Sequence, residues 1–387
     1  MKGNERSVGR PGIAMGALCL LVLIPHLLAR PLRAEKAPLG IPLEVWAYFI
    51  PRDNPVTPEK VELGRQLFFD PRLSADGTIS CATCHDPARA FTDGRPRAVG
   101  IGGRTGKRHT PSLINAMFHA GQLWDGRAPS LEAQALLPLV HPDEMGNASV
   151  DDVVARLRAV PEYVRQFREA FGSTVTSEGI ARAIAAYERT LIAGNSAFDR
   201  FMAGETDALS EAARRGLALF RGKARCATCH LVNTAFPFFT DQLYHNTGVA
   251  VNDPAFLPLV ERVRRMLGKP LSPADLKSLE GEPGGSSLGR FLVTGHPLDI
   301  GAFKTPSLRN VELTAPYFHD GSAATLEEVI RFYMQGGRDN PYRDWDLHPI
   351  SLTENEQRDL IEFLKSLTSP ELRQPTPTPS EMGRSQR

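Results

Sequence analysis

Cysteine is scarce in this 387-residue chain: there are five, and four of them stand in two short motifs. The fifth, Cys19, lies in the N-terminal segment, so no cysteines remain for a disulfide framework. Lys and Arg form no stripe of the kind that binds nucleic acid, and the formal net charge is +1. Beyond the first 34 residues, no apolar run is long enough to span a bilayer. These absences exclude a disulfide scaffold, a basic nucleic-acid-binding protein and a multi-span membrane protein.

Both cysteine motifs read CATCH, at residues 81–85 and 226–230, which is the C-x-x-C-H attachment signature of a c-type haem. In such a site the two cysteines form thioether bonds to the haem, and the histidine is a ligand of its iron. A zinc site would instead need two C-x-x-C pairs close in space, and a redox dithiol would not need the histidine. We therefore expect two covalent haems c as cofactors. Their attachment residues are Cys81, Cys84, His85, Cys226, Cys229 and His230.

The N-terminus is typical of an export signal. Three basic residues precede a mostly apolar run over residues 13–28, and small residues follow it. We expect cleavage of residues 1–34 and a periplasmic location, with an uncleaved anchor helix as the alternative. Cleavage would remove five Lys/Arg and one Glu from totals of 45 and 44, which leaves a net charge of −3 and no membrane span in the mature protein.

A weak internal repeat precedes the two motifs. Residues 57–68 and 210–220 each read as a capped helix with a Gly and a Phe four residues apart on one side, and each leads into CATCH. Further amphipathic helices alternate with long Gly/Pro-rich loops, and strand signals are few. We therefore predict a mainly α protein with two tandem cytochrome c-like haem domains, at residues 35–200 and 201–368. Residues 369–387, rich in Pro, Ser and Thr, are predicted to form a disordered tail.

An indole, an amide and a carboxylate follow the first motif in one stretch, as Trp124, Gln134 and Glu144. Gln134 and Glu144 flank Pro138, so a helix should end there and a loop return, which can hold both polar side chains over one face of the haem. A carboxylate in that position takes a proton from bound peroxide and returns it to the leaving oxygen, which is general acid–base catalysis. The alternative is that Glu144 is an exposed loop residue.

These motifs, together with residues 110–115, 245–248 and 305–310, resemble those of the bacterial di-haem cytochrome c peroxidase family, including its MauG-type members. The resemblance covers nearly all of residues 55–368. It implies an oxidoreductase that reduces H₂O₂ at the N-terminal haem with electrons relayed through the C-terminal haem. The implied donor is a small c-type cytochrome or a cupredoxin, whereas a MauG-type member oxidises a protein or other substrate. A di-haem electron-transfer protein without catalysis is a further alternative.

The resemblance also implies a role for each site residue. His85 and His230 would be the proximal ligands of the first and second haem irons. Glu144 would be the catalytic acid–base, with Gln134 as its partner in the distal pocket. Trp124 matches a tryptophan between the two haems and would relay electrons.

Two axial positions set this chain apart within that family. Members that need reductive activation carry a removable distal histidine in the loop after the first motif, and residues 97–104 here contain none. We therefore predict an open, high-spin first haem in the resting protein. At the sixth-ligand position of the second haem, typical peroxidases have Met and MauG-type members have Tyr. That position falls on Tyr333, with Met334 as the alternative, about 100° away on a helix.

A calcium ion is a further implied cofactor. In the family it lies between the domains, held by a side chain near position 109 and by the carbonyls of Thr314 and Pro316. His109 stands where the family usually has Asn, and imidazole is a poor ligand for this hard ion, so other oxygens hold the ion or it is absent. MauG also carries a surface tryptophan just before its second motif. Residues 222–226 have none, so maturation of methylamine dehydrogenase is not expected.

Overall fold

The computed structural model describes residues 43–232, 237–268 and 270–373, with side chains from residue 46 onward. The predicted signal segment lies outside these residues. The described residues belong to one compact unit, and the predicted division near residue 200 stays a prediction. None of the helices in the described ranges is long and apolar enough to cross a membrane.

The described chain is mainly helical, which confirms the predicted fold class. The helices are α1 (Leu43–Tyr48), α2 (Pro58–Phe69), α3 (Cys81–Cys84), α4 (Leu131–Val140), α5 (Val150–Arg158), α6 (Pro161–Phe171), α7 (Ser177–Glu188), α8 (Ala197–Met202), α9 (Glu211–Arg221), α10 (Phe256–Met266), α11 (Pro273–Glu280), α12 (Phe291–Thr294), α13 (Leu326–Met334) and α14 (Glu354–Lys365). Short 3₁₀ turns and long loops connect them, and the second CATCH begins in such a turn.

The two repeated helices, α2 and α9, begin at side-chain caps. The Thr57 hydroxyl accepts a hydrogen bond from the first turn of α2, and the Ser210 hydroxyl does the same for α9. Helix α2 packs against α7, and α9 packs against α14. A Cβ atom on Gly64 would lie 1.9 Å from the Ala183 carbonyl oxygen, and one on Gly216 would lie 2.0 Å from that of Asp359. Glycine therefore lets each helix pair cross with its backbones in close contact.

Each helix pair carries its own hydrophobic core. Phe68, four residues after Gly64, is fully buried, and Phe220, four residues after Gly216, is 1% exposed. The four phenylalanines of the second core form edge-on and tilted ring pairs. These four are Phe198, Phe220, Phe239 and Phe363.

A short antiparallel strand pair joins segments that are distant in the sequence. Strand β1 (Tyr244–His245) pairs with β2 (Phe303–Lys304), with Tyr244 opposite Lys304. The N–H of Lys304 donates to the Trp124 carbonyl at 2.8 Å, so the tryptophan segment is tied to the C-terminal half of the chain.

The first residues of the predicted tail are ordered. Ser369 is 1% exposed, and its N–H donates to Asn310 Oδ1 at 2.8 Å. Pro370–Arg373 form a 3₁₀ turn, in which the Arg373 guanidinium contacts Glu312 at 2.6 Å. The predicted boundary at residue 369 is therefore too early, because a hydrogen bond into the core extends the fold beyond the last helix. Residues 374–387 lie outside the described part of the chain.

Candidate active site

A single cavity of about 1560 Å³ is lined by both CATCH motifs. It also receives the side chains of α4, the segment after the first motif, and α13. The residues that the sequence singled out for chemistry, other than Met334, all lie on its wall. They are Trp124, Gln134, Glu144, Thr314, Pro316 and Tyr333, together with the six attachment residues.

The two motifs have the same local geometry. The N–H of His85 donates to the Cys81 carbonyl at 2.9 Å, and the N–H of His230 donates to that of Cys226 at the same distance. This turn brings the histidine back beside the first cysteine. Two cysteines and a histidine on one tight turn match what a covalently attached haem requires.

Each motif histidine is oriented by a backbone carbonyl. His85 Nδ1 lies 3.0 Å from the Phe91 oxygen, and His230 Nδ1 lies 2.8 Å from the Phe239 oxygen. Burial lowers the pKa of both rings, which keeps them neutral. With Nδ1 donating its proton, Nε2 is left free as a metal ligand. Phe91 and Phe239 both adopt positive φ, 58° and 55°, so both sites aim the accepting carbonyl through the same unusual backbone turn. The six attachment residues therefore fit two haems c.

Helix α4 and the turn after it form the wall above the first motif. Gln134 and Pro138 lie on α4, and the carbonyl of Pro138 accepts the N–H groups of His141 and Met145, at 3.3 and 3.2 Å. This turn returns the chain so that Glu144 lies on the same cavity wall as Gln134. Burial raises the pKa of the Glu144 carboxyl, while the nearby His141 opposes the shift. Gln134 and Glu144 both line the cavity, and their roles in catalysis stay a prediction.

The loop after the first motif is fastened to the Glu144 turn. The N–H of Ile101 donates to the Glu144 carbonyl at 2.8 Å, and the Arg104 guanidinium donates to the Pro142 carbonyl at 2.7 Å. A Cβ atom on Gly100 would lie 2.2 Å from the Asp143 carbonyl oxygen, so only glycine permits this contact. We call residues 97–104, docked in this way, the latch loop.

Trp124 is held at both its ring and its backbone. The indole N–H donates to the His109 carbonyl at 2.8 Å, and the Trp124 carbonyl accepts from Lys304. The next residue, Asp125, is 1% exposed and pairs with the guanidinium groups of Arg108 and Arg127, at 2.7 and 2.8 Å. The indole is therefore fixed on the wall of a cavity that both motifs share.

Tyr333 and Met334, the two candidates for the sixth ligand of the second haem, have different surroundings at the end of α13. Tyr333 lines the cavity together with Cys226, Cys229 and His230. Met334 instead packs against the second hydrophobic core. Burial raises the pKa of the Tyr333 phenol, so the free side chain is uncharged. Tyr333 therefore shares the cavity with His230, and its role as an iron ligand, with Met334 as the alternative, stays a prediction.

His109, which the sequence places at the expected calcium site, does not fit that ion. His109 is 4% exposed, and its Nδ1 lies 2.7 Å from the Arg95 carbonyl oxygen. Burial lowers the pKa of His109, and the carbonyls of Arg95 and Thr314, which face the ring, oppose the shift. The ring bonds the Arg95 carbonyl through its single N–H, and it offers no hard oxygen to Ca²⁺.

We expect calcium chelation to leave this protein unchanged. Treatment with EGTA should alter neither the optical spectrum of the haem-loaded protein nor its unfolding midpoint in guanidinium. His109→Asn should restore an oxygen ligand, so that added calcium raises the unfolding midpoint of this variant alone, as ligand binding to a folded state does. A loss of stability on chelation of the wild type would contradict the misfit.

Two ionisable residues on the cavity wall were missed from the sequence. Glu188, at the end of α7, is 3% exposed, its Oε2 has no hydrogen-bond partner among the described residues, and burial raises its pKa to about 8. Lys304 Nζ donates to the Gly121 carbonyl at 2.9 Å, and burial lowers its pKa to about 8. For Glu188 there was a signal, a lone carboxylate on a helix face that is otherwise apolar. Lys304 gave none.

Fold and site together define a mainly helical di-haem protein of the c type, with a carboxylate and an amide on the wall of the shared cavity. The family description "Di-haem cytochrome c peroxidase" matches residues 58–207. The chain is 42% identical over 320 residues to "Methylamine utilization protein MauG" of Methylorubrum extorquens, which covers 82% of this chain and 80% of that protein. It is 39% identical over 375 residues to "Cytochrome-c peroxidase IdrP1" of Denitromonas iodatirespirans, which covers 95% of both chains.

Among solved structures, one of a MauG-like protein associated with microbial copper homeostasis is similar, with 37% identity and a TM-score of 0.69. The match covers 85% of this chain and 94% of that one. The chain belongs to the di-haem cytochrome c peroxidase family, which confirms the resemblance found in the sequence.

Proposed function

We propose that this protein reduces H₂O₂ at the first motif, with electrons that enter at the second. The observation that carries the proposal is the position of Glu144. It lies on the same cavity wall as Gln134 and the Cys81–His85 attachment site, and the latch loop beside it has no histidine to occupy the open axial position. A haem bound at the first motif would supply a redox-active iron with one open face.

The side chains account for the proton movements. Reduction of H₂O₂ to two waters consumes two electrons and two protons. Glu144, as a carboxylate, can take the proton of the oxygen that binds first and return it to the oxygen that leaves. Gln134 offers an amide to orient the peroxide, and the burial that raises the pKa of Glu144 makes its carboxylate a better acceptor for the proton.

The position of Trp124 supports a route for electrons between the two attachment sites. Trp124 is hydrogen-bonded to His109 and Lys304, and its indole lies on the wall that both attachment sites share. We assign it as the relay between the sites.

The donor is a one-electron carrier protein, and the expected location is the periplasm, in keeping with the signal-like residues 1–34.

Tyr333 favours a second candidate function, that of a MauG-type enzyme that oxidises a protein or other substrate. Its phenol lies on the cavity wall beside His230, whereas Met334 is turned into the core. A phenolate ligand favours ferric iron, which suits a site that stores oxidising equivalents. The two functions share the chemistry at Glu144 and differ in the partner.

Spectroscopy of the oxidised, haem-loaded protein tests the proposal. We expect low-temperature EPR to show one high-spin and one low-spin haem, and the optical spectrum to change rapidly with one equivalent of H₂O₂, without prior reduction. A near-infrared band after peroxide would select the MauG-type function. Two low-spin haems inert to peroxide, both before and after one-electron reduction, would contradict catalysis and leave an electron carrier.

A further inference from the structure

A surface loop between α13 and α14 is fastened over the second motif. Asp344 Oδ2 lies 2.5 Å from His245 Nδ1, and the N–H of Asp344 donates to the Asn246 carbonyl at 2.9 Å. Two residues on, Asp346 Oδ1 lies 2.6 Å from the guanidinium of Arg225, the residue immediately before Cys226. The loop is therefore held at both ends of a three-residue stretch.

The anchor at His245 is adjacent to the haem attachment site. Ligand atoms of Cys229, Asp241 and His245 all lie within 4.8 Å of one another. His245 Nε2 lies 2.8 Å from Asp241 Oδ2, so both ring nitrogens face carboxylates. Asp241 accepts a hydrogen bond from His245, and this bond raises the pKa of the imidazole. The loop is thus tied, through His245, to a residue whose ligand atom lies within 4.8 Å of that of Cys229.

Trp345 lies between the two anchored aspartates and is 83% exposed. The two other tryptophans, Trp46 and Trp124, are half-buried. An indole that could bury a large apolar area is instead presented to solvent by a loop that cannot fold away. Leu243, on the segment tied to the same loop through His245, is 57% exposed. Trp345 and Leu243 both line the cavity that contains the second motif.

We propose that Trp345 is the surface residue through which single electrons pass between a protein partner and the second haem site. This inference rests on the function proposed above and names the residue at which electrons enter the protein. The partner is a small one-electron redox protein, because a lone exposed indole beside a buried cofactor site suits a carrier whose own redox group lies near its surface. An apolar anchor framed by charged side chains is also the usual centre of a protein interface.

The electron balance is simple. One reduced partner gives one electron, Trp345 passes one electron inward, and a second partner repeats the step. These two electrons, together with two protons taken from water, convert one H₂O₂ to two waters. The indole is suited to this role because it can lose and regain one electron, whereas the benzene ring of phenylalanine cannot under the same conditions.

Trp345→Phe separates relay from contact, since it keeps an aromatic ring. With a reduced small c-type cytochrome as donor, we expect the rate of peroxide reduction to fall about tenfold or more, because phenylalanine keeps the contact with the partner but cannot lose and regain an electron. With ascorbate and a small-molecule mediator as donor, the rate should stay within about twofold of the wild type, because no docking is needed. Trp46→Phe is the matched control and should behave as the wild type with both donors.

A chemical readout complements the rates. Peroxide added without any donor should oxidise Trp345. H₂O₂ takes two electrons from the indole and two protons and becomes two waters, and the oxidised indole then gains one oxygen atom from solvent water and releases two protons. Peptide mass spectrometry should find this added oxygen on Trp345 and not on Trp46. Glu144→Gln treated in the same way should remain unmodified, which excludes direct attack by peroxide.

The outcomes distinguish the proposed peroxidase function from the proposed role of Trp345. A wild type that consumes no peroxide with either donor would remove the proposed function itself. A Trp345→Phe variant that accepts cytochrome electrons at the wild-type rate, with Trp345 unmodified in the wild type, would overturn the role of Trp345 and leave the peroxidase function standing.

Discussion

Glu144→Gln should lose about 10²- to 10⁴-fold in the rate constant for peroxide turnover, the range that general acid–base catalysis contributes. The amide keeps the size of the side chain but cannot take a proton and return it. Because burial raises the pKa of Glu144, the wild-type rate should fall on the acid side of that raised pKa, where the carboxyl is already protonated. The variant should lack this acid limb. Stopped-flow kinetics over a range of pH measure both effects.

The control for this variant is Glu162→Gln, which changes an exposed carboxylate on α6 that pairs with Arg165. It should keep the wild-type rate and pH profile. Both variants should bind two haems, as the optical spectrum of the denatured, reduced protein reports. Full activity in Glu144→Gln would move the acid–base role to another group, and Glu188, on the same cavity wall, would be the next candidate.

Gly64→Ala and Gly216→Ala should each cost about 3 kcal/mol in free energy of unfolding, the upper end for overpacking a tight core. In the first variant the new methyl group would overlap the Ala183 carbonyl, and in the second that of Asp359. Neither obstacle is the end of a flexible side chain, so one helix of each pair must shift. Guanidinium unfolding of the haem-loaded variants, followed by circular dichroism, measures the loss.

Gly268→Ala provides the matched control. A Cβ atom there would meet nothing within 4 Å, and the residue does not need a left-handed backbone. We expect its unfolding free energy to stay within about 0.5 kcal/mol of the wild type, as surface substitutions usually do. If Gly64→Ala were as stable as Gly268→Ala, the close crossing of α2 and α7 would not be required.

The parts of the fold that local chemistry determines could be predicted from the sequence. The capped helices before each CATCH motif are visible because a hydroxyl cap, a glycine and a phenylalanine recur at the same spacing. A turn between Gln134 and Glu144 was also predicted, but α4 continues two residues past Pro138, to Val140, before the chain returns. The helical class and the family follow from these motifs.

The features that depend on distant contacts could not be predicted. The carbonyls that orient His85 and His230 come from phenylalanines at positive φ, a conformation that the residue type does not indicate. The imidazole of His109 already indicated a poor fit to calcium, but its contact with the Arg95 carbonyl could be seen only in the structure. The tail boundary was placed too early because the hydrogen bond from Ser369 to Asn310 spans 59 residues.

The docking of the latch loop has a consequence for how the protein would respond in time. A site that must first be opened by reduction answers a burst of peroxide only after a lag. In the proposed peroxidase the loop is already fastened to Glu144 and Pro142, so we expect no lag. Constant readiness brings a hazard, because peroxide that arrives when no donor is bound must draw its electrons from the chain. In the role proposed for Trp345, this exposed side chain would be oxidised in place of residues in the interior.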